Sequence, residues 1–161
     1  MPQTFLKALL SMLFALCASS ALAQMPNPYG APISLESAKK AAAAAAAEAR
    51  KNNWNMAIAI TDTAGDLVYL EKMDATQTGS VMIALDKARA AAQFKRPTKV
   101  FQDAVASGGG GLRILGLRGA VPVDGGLPIV MDGKIVGAIG VSGAAGDQDA
   151  QCSKAGVDSL K

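Results

Sequence analysis

The stretch Leu127-Pro128-Ile129-Val130-Met131-Asp132-Gly133-Lys134-Ile135-Val136-Gly137-Ala138-Ile139-Gly140-Val141-Ser142 decides the fold. Its first five residues are apolar. Asp132-Gly133 is a strong signal for a two-residue hairpin turn. Residues 134–142 return as a strand in which Gly137 and Gly140 leave the backbone bare. A second hairpin lies upstream. Trp54, Met56, Ile58 and Ile60 alternate with Asn55, Ala57, Ala59 and Thr61, a period of two that reads as a strand over 54–62. Gly65-Asp66 closes a turn, and residues 67–73 form the second strand.

Helical segments flank both hairpins. Ser34 is placed to cap a helix, and Glu36 sits at its positive end. That helix runs to about Asn52 through residues 41–47, all alanine, the best helix former. Such a face suits close packing on a sheet or on another subunit, although a strong helix accounts for it more simply. Val81, Ala84, Leu85, Ala88, Ala91 and Ala92 share one face of a helix over 80–94. Pro97 ends it, and a short helix follows over 98–106. Ser107 and the four glycines after it read as a loop. Asp147 and Asp149 open a last helix towards Leu160. Hairpins dominate this order, not crossovers, which predicts an α+β layered domain: an antiparallel sheet flanked by helices.

Composition bounds the function. The chain has 161 residues, enough for one domain, with 50% hydrophobic and 18% charged residues. Aromatics are only 4%, so Ala and Gly must supply much of the interior. A net charge of +3, scattered along the chain, gives no nucleic-acid footprint. There is no histidine, which removes the commonest metal ligand, the usual general base and the usual haem ligand.

Residues 1–23 have the layout of a signal peptide: Lys7, an apolar run over 8–18, then Ala21-Leu22-Ala23. Cleavage is expected between Ala23 and Gln24, giving a periplasmic or secreted protein with no membrane span. Residues 24–33 then form an extended arm, and 34–161 the domain. Cys152 is the only cysteine left after cleavage, so no disulfide can form within the mature chain.

Little in the domain looks catalytic. Ser142 lies in Gly140-Val141-Ser142-Gly143, which is not Gly-x-Ser-x-Gly, and no histidine can activate it. The glycines at 108–111 end in no Gly-Lys-Ser/Thr. Asp62, Asp66 and Asp74 match no cation loop and read as turn caps. Cys152, alone on a helix, reads as a small buried hydrophobe. The candidates for ligand contact are therefore few. Val121 to Ile129 sets two glycines between prolines, a rigid turn or the rim of a pocket, with Gly125, Gly126, Leu127 and Pro128 at its centre. Lys87 could hold a carboxylate. Met73 and Tyr69 stand in or beside a strand, as core filling or as soft and phenolic ligands. No metal-ligand set can be named.

The residues also resemble a known family. Ile60-Thr61-Asp62-Thr63-Ala64-Gly65-Asp66-Leu67-Val68 with Met73-Asp74 looks like its first hairpin. Lys87-Ala88-Arg89, Phe94 and Pro97-Thr98 look like its central helix and break. Gly125 to Ile129, Gly133 to Gly143 and Gln148-Asp149 look like its carboxy-terminal signature. This is the GlcG/HbpS family of haem-binding-like proteins, which is similar to the carboxy-terminal domain of PduO. The resemblance spans nearly all of the mature chain. It implies a profilin-like layered fold and dimer-based homo-oligomers of up to eight subunits. It also implies a small-molecule ligand, with haem or another tetrapyrrole as the cofactor, in sensing, storage or scavenging. The expected pocket lies between the Gly125–Ile129 turn, the Lys87 helix and the Met73 strand end. The alternatives are an enzyme or accessory acting on a small organic acid or aldehyde, and an oligomeric interaction protein using the alanine face.

Overall fold

The structure, a computed structural model, describes residues 27–161. The signal-peptide reading and the first residues of the arm fall outside them. The elements are α1 (Leu35–Lys51), β1 (Ala57–Thr61), β2 (Leu67–Lys72), α2 (Ser80–Phe94), α3 (Lys99–Ala106), a 3-10 helix (Gly109–Gly116), β3 (Gly126–Met131), β4 (Lys134–Ser142) and α4 (Gly146–Asp158). The four strands form one sheet in the order β2-β1-β4-β3, every neighbour antiparallel. The fold is α+β, as the hairpins predict. Ser34 caps α1 by accepting from the Ser37 amide. Asp132 and Gly133 both take positive φ, 49° and 72°, as a two-residue hairpin turn requires.

The sheet lies between two helical layers of different character. Ile58, Ile60, Ile129, Ile139 and Val141 pack against the alanines of α1 and Cys152 of α4. The other face carries Ala57, Ala59 and Ala138, which meet the alanines of α2. The alternation in 54–62 therefore reflects size and not polarity, because all five residues of β1 are buried. Bare backbone lets α2 come close. A Cβ on Gly140 would stand 2.1 Å from the Ala84 carbonyl oxygen, and one on Gly126 2.5 Å from that of Lys87.

Three expectations need adjustment. The alanine face of α1 is used inside the chain: Ala38, Ala41, Ala42, Ala45, Ala46 and Ala49 are buried against the sheet and α4. Its outward face carries Lys39, Lys40 and Arg50 together with exposed Ala43 and Ala47. The glycine run is the start of the 3-10 helix and not a loop. Glycines can make its tight turns, and at Gly111 a Cβ would collide with the Ala104 carbonyl oxygen at 1.8 Å. The arm is more than an extended lead. Ile135 donates to the Pro28 carbonyl, and Gly30 and Ile33 donate to the Ile135 and Val136 carbonyls. The arm thus occupies the side of β4 that β1 leaves free beyond Thr61. Among the described residues, no helix is long and apolar enough to cross a membrane.

Candidate functional site

The signature residues assemble into a closed polar cluster where α2, α4, β4 and the start of β3 meet. Lys87 is fully buried in α2. Its Nζ donates to Asp149 Oδ2 at 2.7 Å and to the Val141 carbonyl at 3.0 Å. The other Asp149 oxygen accepts from the Ala144 amide. Burial holds the Asp149 carboxyl above its ordinary range, against the pull of the Lys87 ammonium. Gly125 takes φ +113°, and its carbonyl accepts from Ser153 Oγ at 2.6 Å and from the Val141 amide at 3.0 Å. The Gly126 amide donates to Thr98 Oγ1, and its carbonyl accepts from the Thr98 amide. A Cβ on Gly125 would lie 2.9 Å from Lys87 Nζ. The glycines are thus required by this close packing. Every polar group named is met from inside the chain, as buried polar groups must be.

The structure brings Lys87 together with Gly125 and Gly126, as the sequence suggests, but Lys87 is bonded to Asp149 and the glycines to Asp124, Ser153, Val141 and Thr98 rather than facing a cleft. Leu127 packs against the core on the α1 face, while Pro128 is buried opposite Ala138. Tyr69 and Met73 lie at the other edge of the sheet. Two strands, β1 and β4, separate β2 from β3, so these residues stand about 14 Å from the glycine turn across the strands. Among the described residues, neither open cleft joins all three of the elements expected to form one pocket.

An open cleft of about 330 Å³ does form at the β2 end, lined by Arg50, Asn55, Glu71, Lys72, Met73 and Asp74. Arg50 pairs with Glu71 at 3.2 Å. Lys72 is exposed and has no ion pair among the described residues. Tyr69 is half-buried on the same strand. A second open cleft of about 390 Å³ lies beneath the arm, with Met131, Lys134 and Ser34 in its lining. Among the described residues, no group of three Cys, Asp or Glu could hold a metal ion. Asp62 accepts from the Ala64 and Asp66 amides and caps its turn. Burial pushes the Cys152 thiol up to about 12, so it stays protonated and inert near neutral pH.

Sequence reasoning missed Arg50 as a cleft residue and Asp149 as the partner of Lys87. Asp149 reads locally as a helix-dipole charge, and nothing local announces a bond across 62 positions. Arg50 sits at the end of a helix whose inward face is all alanine, and only folding brings it to β2.

Residues 33–158 match the family described as haem degrading protein HbpS-like. Protein GlcG of Escherichia coli K12 is 41% identical over 110 residues, which cover 68% of this chain and 81% of GlcG. A double mutant of HbpS from Streptomyces reticuli superposes with a TM-score of 0.75 at 29% identity, covering 90% of this chain and 98% of that one. The fold is shared by a PduOC–haem complex, with a TM-score of 0.73 at 23% identity over 81% of this chain and 96% of that one. The match over most of the domain and the similarity to GlcG agree with the layered architecture, and the chain belongs to the HbpS-like family.

Proposed function

We propose that the protein binds a tetrapyrrole of the haem type in the periplasm or outside the cell, as a homo-oligomer, in sensing, storage or scavenging. The observation that carries this reading is the match of residues 33–158 to a family described by haem degradation. The haem complex of the similarly folded PduOC agrees with it.

The donor set tests the fit. With no histidine in the chain, imidazole is not available as an axial ligand, and a methionine thioether is the candidate in the open cleft. Met73 lines the cleft at the β2 end with two cations, Lys72 and Arg50, and two acids, Asp74 and Glu71, the latter paired with Arg50. A thioether is a known axial ligand of haem iron, and an ammonium or guanidinium pairs with propionates. These residues fit the group. Met73 would hold the iron side and Lys72, the cation without an ion pair among the described residues, a carboxylate, and bound haem would supply a redox-active iron. Lys87 has no such role in this reading, because its ammonium faces Asp149 in the interior.

An absorbance titration of the mature chain with haemin tests the proposal. The expected result is a saturable, shifted Soret band at a defined ratio, weakened about tenfold or more in Met73→Ala and Lys72→Ala, equivalent to about 1.4 kcal/mol. A response of the unaltered chain that matches a no-protein control would sink it.

A further inference from the structure

The cleft at the β2 end carries as many acids as cations. Arg50 and Lys72 stand with Glu71 and Asp74 in its lining, which therefore has no net charge. A ligand bearing carboxylates gains little from such a lining unless one of these groups changes partner. Lys72 has no partner to leave, since it makes no ion pair among the described residues. The Arg50–Glu71 pair is the one built to exchange, for three reasons.

The first is the bond itself. Arg50 Nη2 donates to Glu71 Oε1 at 3.2 Å, and among the described residues neither side chain makes another hydrogen bond or ion pair. Bonds from a guanidinium to a carboxylate are strongest at about 2.7–2.9 Å and when two run in parallel. This one is long and single, so most of the guanidinium's donors are still on offer. The second is water. The Arg50 side chain is 61% exposed and that of Glu71 27%, so the pair is screened and worth little, and Glu71 keeps access to water when the arginine leaves. The third is the mounting. Glu71 stands on β2 opposite Ile58 and so faces the α1 layer, fixed by the sheet. Arg50 reaches it from the last turn of α1 on a long stem with many rotamers. Lys72, opposite Ala57, leaves β2 on the other face. The two cations therefore reach the cleft from opposite sides of the sheet.

We propose that Glu71 holds Arg50 in reserve, and that a ligand carrying two carboxylates takes Arg50 from it with one while Lys72 meets the other. A carboxylate that docks on the planar fork through two parallel bonds outcompetes the single bond it replaces. A neutral ligand cannot make this exchange and leaves the pair as it is. Glu71 thus sets the selectivity of the cleft, because its charge weakens every carboxylate that fails to displace it. This rests on the tetrapyrrole reading above and names the residues that choose among tetrapyrroles.

The test compares haemin with haemin dimethyl ester, which keeps the ring and iron but lacks both carboxylates, in absorbance titrations of the mature chain. Three proteins are needed: the unaltered chain, Glu71→Gln, and the double variant Arg50→Gln with Glu71→Gln. The pair is exposed, so all three should share one circular dichroism spectrum. Glu71→Gln should bind haemin about fivefold tighter than the unaltered chain, because Arg50 is freed and a repelling charge is gone. The double variant should fall about tenfold or more below Glu71→Gln, the loss expected when a charge-assisted contact is removed. The ester should bind all three alike. Haemin affinity unchanged in Glu71→Gln would overturn the inference. So would a double variant as tight as Glu71→Gln, which would leave simple repulsion by Glu71 and no contact with Arg50, or ester affinities that follow the haemin series. In these cases haemin still binds and the tetrapyrrole reading stands. Failure of all three proteins to bind haemin would overturn both.

Discussion

At the Lys87 end of the sheet the chain answers its own polar groups, whereas at the β2 end they point outwards. Lys87, Asp149, Thr98, Ser153 and the carbonyls of Val141 and Gly125 form one closed network with almost no access to water. The β2 end offers an open cleft lined by a half-buried methionine and by Lys72, which has no ion pair among the described residues. The residues most characteristic of the family signature thus build the frame, and the groups free to meet a ligand or a partner lie elsewhere. A motif can be specific because backbone and helix must approach closely, with no substrate involved.

The comparison breaks most visibly at the ion pair. Lys87→Met leaves a buried carboxylate without its partner, and should lower unfolding free energy in denaturant titration by about 3–5 kcal/mol. Replacing both partners, Lys87→Met with Asp149→Leu, should recover most of the loss, because an apolar pair needs no desolvation of charge. A single variant as stable as the parent would mean that the network is no lock.

Glycine replacements give the next effect. Gly140→Ala drives a methyl into the Ala84 carbonyl, so α2 must shift. Thermal unfolding should show a loss of about 1–3 kcal/mol, the usual cost of overpacking. Gly79→Ala, with open space around its Cβ, is the control and should change little.

A smaller effect concerns Cys152. Its thiol is raised from an ordinary 9.0 to about 12 by burial first, with Glu48 and Asp149 adding to it. The folded state therefore disfavours the thiolate. This contribution to stability is complete below pH 9 and is lost as pH rises towards about 12. Iodoacetamide at pH 8 should label the unfolded chain and spare the native one; equal labelling of both would contradict the burial. The smallest effect belongs to the open end, where Lys72→Ala should move stability by no more than about 0.5 kcal/mol in the same denaturant titration. Its consequence should appear in haemin affinity alone.

The hairpins, the helix cap at Ser34 and the bounds of α2 are legible in the sequence, because each depends on neighbours a few positions apart. The two-sided burial of β1 is also written there, as alternating large and small residues, once size is read in place of polarity. What could not be read is long-range pairing. Lys87 reads as a cation for a ligand's carboxylate until Asp149 is brought beside it. Met73 and the Gly125 turn look like parts of one pocket until the strand order sets β1 and β4 between them. The packing of the alanine run against α4, with Gly156 close to Ala41, is likewise invisible until the chain folds.

The central claim is that binding belongs to the open end and rigidity to the closed one. Backbone hydrogen exchange of the mature chain with and without haemin tests it most directly. The account predicts slowed exchange on binding at residues 50–55 and 69–74, with the amides of Gly125, Gly126 and Val141 already slow and unchanged. New protection confined to Gly125, Gly126 and the Lys87 turn of α2 would contradict it and return the site to the closed cluster.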